Sequence, residues 1–160
     1  MANPTPIASA VLVPVYRDEA GELRVVLVVR GAHGVHGGQL GFPGGKAEPG
    51  DASLLETALR ETEEEVGLAR VEIRVLAELE PLDTRATGFR VTAFVARVPA
   101  DVLWRPRAGE IDGIVTPRVA DVAGRLDADS VPVEGHRLWG LTLRLLDLVV
   151  PRLSAGEWQV

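Results

Sequence analysis

A chain of 160 residues, 46% hydrophobic and 25% charged, has the size and composition of one globular domain with a real core. It holds no cysteine, which excludes disulfides, thiolate nucleophiles and thiolate zinc sites. A net charge of −6 without a basic stripe argues against nucleic acid as a partner, and with no basic leader and no apolar run of membrane-spanning length the expected location is the cytoplasm, away from membranes.

Ile7–Tyr16 reads as a β-strand, and Asp18-Glu19-Ala20-Gly21 as a hairpin turn into a second strand, Leu23–Val29. Six glycines (Gly37, Gly38, Gly41, Gly44, Gly45 and Gly50) then fall around Phe42-Pro43. Glycines let a backbone approach a ligand closely and offer it N–H groups. Lys46 is followed by Ala47, not Ser or Thr, so this segment is not a P-loop.

A helix is predicted over residues 53–66, with Leu55, Ala58, Leu59, Thr62 and Val66 on its inward face. Ser53 is placed to cap it in a capping box with Glu56, and Gly67 to end it. Val71–Glu80 and Phe89–Val98 alternate as strands, joined by a loop Leu82–Gly88. Pro99–Gly109 is irregular, Ile111–Val115 a short strand, and Pro117–Ala123 the start of a short helix. A final helix over Arg137–Val150 is apolar on most sides, so it belongs in the core or at a contact with a second copy, leaving a homodimer open. Strands with a few inserted helices argue an α+β fold.

The chemistry concentrates on the predicted helix 53–66. Glu61, Glu64 and Glu65 share one face, where like charges cost about 0.2–0.5 kcal/mol per pair. Arg60 can offset some of this through Glu56 and Glu64, each four residues away. A divalent cation would offset more, and hard oxygen donors suit Mg²⁺ or Mn²⁺. A solvated acidic face is the alternative reading. His33 and His36 flank the glycine segment, and His136 falls at the start of the last predicted helix as a structural residue. Trp104, Arg105 and Arg107 lie on the irregular loop, where they can stack on a base, grip a phosphate, or simply cover surface.

Residues 45–68 resemble the box of the Nudix hydrolases, G-x5-E-x7-R-E-U-x-E-E-x-G-U with U apolar. Gly45, Arg60, Glu61, Glu64, Glu65, Gly67 and Leu68 match. Asp51 stands for the first Glu, eight residues separate it from Arg60, and Thr62 replaces an apolar residue. That spacing is similar to the coenzyme A pyrophosphatase branch. So are Leu27-Val28-Val29-Arg30 followed by Gly38-Gln39-Leu40-Gly41-Phe42-Pro43-Gly44-Gly45, and Leu138-Trp139-Gly140-Leu141-Thr142. Gly31 stands where the branch has Ser, and its second upstream Arg is missing.

The resemblance implies a single domain over 1–160, a mixed sheet sandwiched between helices, and a pyrophosphohydrolase acting through water on a nucleotide diphosphate. It implies Glu61, Glu64, Glu65 and the Gly45 backbone as metal site, and Arg60, Glu64 and Glu110 as the orienting and catalytic set. Glu110 would complete the site as base or extra ligand. Arg30, His33, Phe42, Gly44 and Lys46 would meet substrate, with Arg30 the retained candidate for the 3′-phosphate of coenzyme A. ADP-ribose, a dinucleoside polyphosphate, or a nucleotide-binding regulator without turnover are the other readings.

Overall fold

The computed structural model describes residues 4–31, 38–84, 86–126 and 128–160. Its spine is β1 (Ile7–Arg17). β2 (Leu23–Val25) and β5 (Gly44–Lys46) pair with β1 antiparallel, while β8 (Phe89–Arg97) runs parallel to it from Ile7↔Phe89 to Val15↔Arg97. β6 (Arg74–Glu78) and β7 (Leu82–Asp83) extend the far side of β8, giving a six-stranded mixed sheet. A smaller antiparallel sheet has the order β4-β3-β9, from Leu40–Gly41, Leu27–Arg30 and Ile111–Val115.

The alternation of β1 decides what each face carries. Ala10 and Leu12 are buried in one cluster with Phe94, Ala96 and Ala58 of α1 (Leu54–Val66). Val13 and Val15 are buried with Ala93, Val95 and, from α3 (Gly140–Ser154), Leu145, Leu146, Val149 and Val150. The mixed sheet is therefore sandwiched between α1 and α3, the α+β architecture expected. The final helix is used for the core, although Leu148 stays 45% exposed. No helix among the described residues is long and apolar enough to cross a membrane.

Several boundaries differ from the sequence reading. The second predicted strand is two: the chain leaves β1 after Val25, the Val26 N–H reaches the Pro14 carbonyl, and Leu27 begins β3 in the small sheet. Periodicity hides this switch because Val25 to Val28 are all fully buried. The start of the predicted strand Val71–Glu80 is a 3₁₀ turn, Arg70–Glu72, and Leu82–Asp83 of the predicted loop joins the sheet as β7.

The last helix begins at Gly140, not Arg137. Before it comes a hairpin that the sequence reading missed, β10 (Ser130–Val133) and β11 (His136–Trp139). Its turn, Glu134-Gly135, has positive φ at both residues (47° and 82°), the backbone of a two-residue hairpin turn. His136 is thus a strand residue, not the start of a helix. The helix also runs through Pro151 to Ser154; Pro151 sits on the outer side with exposed Asp147 and Leu148, where a lost intrahelical bond is cheapest. Pro117–Ala123 shortens to α2 (Val119–Ala123).

Candidate active site

Ser53 caps α1 as expected, its hydroxyl accepting the Glu56 N–H at 3.2 Å, and Gly67 ends the helix in the left-handed region. The side chain of Glu56 does not complete a capping box or meet Arg60. It pairs with Arg70 on the 3₁₀ turn. Arg60 instead turns toward the segment before the helix. Its Nε and Nη2 donate to both oxygens of Asp51 at 2.8 and 3.0 Å. Its Nη1 reaches Glu61 at 3.0 Å and Glu64 at 3.3 Å, and Nη2 the Lys46 carbonyl at 3.2 Å. The guanidinium, helped by the Glu48 N–H and the Thr57 hydroxyl, holds the Asp51 carboxyl well below the usual range. Asp51 fixes the guanidinium, and the guanidinium fixes Glu61 and Glu64.

Glu65 is the most buried of the three helix acids, at 3% exposure. One oxygen accepts the Gly44 N–H at 2.7 Å and the other accepts from Nη1 of Arg30. Burial pushes its carboxyl up, against the pull of Arg30 and Gly44, and the charge of Glu110 adds to the rise. Burial likewise raises Glu61, opposed by Arg60 and aided by the charges of Glu65 and Glu64.

The two glycines beneath these acids are fixed by close approach. A Cβ on Gly44 would lie 2.3 Å from the Ala10 carbonyl oxygen, and one on Gly45 would lie 2.7 Å from the Glu61 carboxyl carbon. β5 can therefore lie flat on β1 with Glu61 resting on its backbone.

The irregular stretch Pro99–Gly109 docks on the end of α1. The backbone N–H groups of Arg105 and Arg107 donate to the carbonyls of Val66 and Glu65, both at 2.8 Å. They satisfy helix-end acceptors that otherwise lack partners. The Gly31 N–H holds the Glu110 carbonyl at 2.7 Å, with no room for a side chain at Gly31. Glu110 is thereby delivered to the neighbourhood of Glu65; its own carboxylate is half exposed, 3.9 Å from Arg107. Trp104 packs beside the Val26, Val28 and Val66 cluster, and the loop's Arg105 and Arg107 serve α1 through their backbone.

On the opposite face of β1 and β5 lies a cavity of about 760 Å³. Val11, Leu40, Val91, Leu141 and Leu143 line it, and Trp139 and Arg144 stand among its polar and aromatic residues. Arg30, Phe42, Gly44 and Lys46 border it, and so connect it to the acids of α1. The structure thus brings together Arg30, Phe42, Gly44, Gly45, Lys46, Arg60, Glu61, Glu64, Glu65 and Glu110. His33 lies outside the described residues, as does His36. The contacts of Asp51, Gly31 and Trp139 carry no signal in local spacing, because their partners are distant or irregular in sequence.

Among the described residues no three His, Cys, Asp or Glu side chains converge on one point as a finished metal site. The donor chemistry nonetheless fits a hard divalent cation. Glu65 is buried and Glu61 half-buried, burial and neighbouring carboxylates raise both carboxyls, and each is turned to a guanidinium. All donors are oxygens, as Mg²⁺ and Mn²⁺ prefer.

The NUDIX domain model matches residues 6–133. The Nudix hydrolase NudL of Yersinia pestis (strain Pestoides F), itself described as uncharacterized, is 41% identical over 161 aligned positions, covering 91% of this chain and 79% of that protein. NudL of Yersinia enterocolitica is 43% identical over 107 positions, 66% of this chain, so the match spans about half (53%) of that relative's length. Among solved structures, an Ap4A hydrolase of C. elegans in a binary complex aligns with a TM-score of 0.69 at 20% identity, covering 93% of this chain and 98% of that one. The NUDIX domain of Shewanella oneidensis NrtR, complexed with ADP ribose, aligns with a TM-score of 0.66 at 20% identity, covering 94% and 90%. At such identities these two speak for the fold alone.

Proposed function

The chain belongs to the NUDIX domain family, and from that premise we propose that it is a pyrophosphohydrolase, dependent on Mg²⁺ or Mn²⁺, that cleaves the diphosphate of coenzyme A or a derivative. The observation that carries this reading is the arrangement of Glu61, Glu64 and Glu65 on one face of α1, held by Arg60 and Arg30 against the Gly44-Gly45 backbone.

Glu61, Glu64 and Glu65 would hold the cation, with the Gly45 backbone beside them. A divalent ion there supplies neutralisation of phosphate oxygens and a more acidic water. Arg60 orients Glu61 and Glu64 through its fork on Asp51. Gly44 presents its N–H to Glu65, which keeps that acid aligned with β5. Glu110, or failing it Glu64, accepts the proton of the attacking water. Phe42, Gly44, Lys46 and the exposed edge of Arg30 face the cavity, where the part of the substrate beyond the diphosphate lies. Walls that are mostly apolar suit a flat base or a long uncharged arm better than a second highly charged group.

The coenzyme A reading rests on the upstream Arg30-to-Gly45 signature and the Trp139-Gly140-Leu141-Thr142 segment. With Gly31 in place of Ser and the second Arg missing, discrimination between coenzyme A and dephospho-coenzyme A is expected to be weak. A panel of coenzyme A, dephospho-coenzyme A, ADP-ribose and a dinucleoside polyphosphate under one Mg²⁺ condition tests it. The expected products from coenzyme A are 3′,5′-ADP and 4′-phosphopantetheine. The highest kcat/KM on ADP-ribose would overturn the substrate, and no turnover of any of the four would overturn the hydrolase reading in favour of a nucleotide-binding module.

A further inference from the structure

Arg30 stands at the end of β3, where the pairing with β9 shifts register, and only 27% of its side chain is exposed. Two of its nitrogens have hydrogen-bond partners, and the third lies beside the Gly41 backbone. Nη1 donates to Glu65, Nη2 donates to the Phe42 carbonyl at 2.7 Å, and Nε lies 3.3 Å from where a Cβ of Gly41 would stand. Gly41 thus leaves the guanidinium its place against the backbone. One side chain ties the small sheet, the glycine-rich segment and the buried acid of α1 together.

Among the described residues, Glu65 has two hydrogen-bonding anchors, Arg30 on one oxygen and the Gly44 N–H on the other. A carboxylate held at both oxygens cannot rotate about its last bond without breaking one contact. Its remaining lone pairs then keep a fixed direction. The opposite end of the site is organised in the same manner, with Arg60 anchored on Asp51 to hold Glu61 and Glu64.

We propose that Arg30 is a positioning residue for Glu65, a second internal arginine that complements Arg60, and that it acts on every substrate alike instead of reading a phosphate on any one of them. This rests on the reading of Glu65 as a metal ligand. Groups that orient metal ligands are worth about 10–100-fold in affinity or activity. A cation that merely sat near the metal would act with the opposite sign, because removing it would tighten binding.

The test uses the whole chain with Arg30→Gln and Arg30→Lys. Mn²⁺ binding is followed by electron paramagnetic resonance without substrate, and turnover is measured on coenzyme A and dephospho-coenzyme A. Arg30→Gln is expected to weaken Mn²⁺ about 10-fold and to lower kcat about 10–100-fold by the same factor on both substrates, with KM changed less than about 3-fold. Arg30→Lys, which keeps the charge but not the fork, should recover only part of each loss. Melting in EDTA keeps the proposal open to failure if turnover is absent. Arg30→Gln should lower Tm in the wild-type background and much less in a Glu65→Gln background, because the two residues act as one unit. Unchanged or tighter Mn²⁺ binding, equal Tm losses in both backgrounds, or a KM effect confined to coenzyme A would each overturn it. Absence of turnover in the wild-type protein, with the Mn²⁺ and Tm results as expected, would remove the hydrolase reading and leave the role of Arg30 standing.

Discussion

The two faces of the mixed sheet are furnished differently. Against α1, each site acid has a charged partner: Asp51, Glu61 and Glu64 are held by Arg60, and Glu65 by Arg30 and Gly44. Against α3, the sheet and helix part into a cavity whose walls are mostly apolar, with Arg30, Lys46, Asp129, Arg144 and Asp147 among its lining. The strand between them, β5, carries no side chain at Gly44 or Gly45, and β1 backbone and the Glu61 carboxyl fill the space those side chains would take. Under the proposed function, the contrast puts charge geometry and substrate choice on separate surfaces. A change on the α1 face should alter rate on all substrates, and a change on the α3 face should alter which substrate is preferred.

The largest expected effect is on the α1 face. Glu65→Gln removes a donor charge and leaves Arg30 without its carboxylate partner. Turnover at saturating Mg²⁺ should fall nearly to background on every substrate, with the protein still folded by circular dichroism. Retention of most of the activity would break the assignment of this face. Glu110→Gln should follow, with a rate loss of at least about 10²-fold, the range of a lost general base. A loss of only a few-fold would return Glu110 to an exposed loop acid and leave the base at Glu64 or elsewhere.

Arg60→Lys comes next. Lysine keeps the charge but cannot span both oxygens of Asp51 while also reaching Glu61. The expected outcome is a kcat lower by about 10-fold with KM changed little. A large KM effect at unchanged kcat would place Arg60 on the substrate and blur the division between the faces.

How much of this was legible beforehand differs between the same two faces. The α1 side was readable because its signals are local: a cap at Ser53, a stop at Gly67, and acids at helical spacing. What local spacing could not supply was the partner of Arg60. Helical geometry offers Glu56 and Glu64, but Asp51, outside the helix, gives a two-oxygen fork, and Glu56 is taken by Arg70. The α3 side depends on contacts distant in sequence. The split of Leu23–Val29 between two sheets leaves no trace in a run of buried valines. The β10–β11 hairpin did carry a signal, Val131 and Val133 alternating before Glu134-Gly135, but the apolar run after Arg137 favoured a longer helix. The cavity itself gathers residues from Ser9 to Asp147 and exists only once the chain is folded.

The smallest effect is expected at the cavity, and it is the one that separates the faces most cleanly. Trp139 closes β11, lines the cavity and remains 39% exposed, with the Arg137 guanidinium 4.9 Å from its ring centre. Trp139→Leu keeps an apolar side chain but removes the flat surface on which a base or an amide-bearing arm can rest. It also forfeits the contact with Arg137, worth about 0.5–1 kcal/mol at an exposed site, so a Tm loss of a few degrees is expected. Activity should respond unevenly. The ratio of kcat/KM between coenzyme A and ADP-ribose should move by about 3–10-fold, the size of one altered apolar contact. The kcat on the better substrate should stay within about 3-fold, because no atom of the α1 face is disturbed. A uniform loss on both substrates would mean that Trp139 supports the catalytic face through the sheet, and the separation of rate from choice would fail.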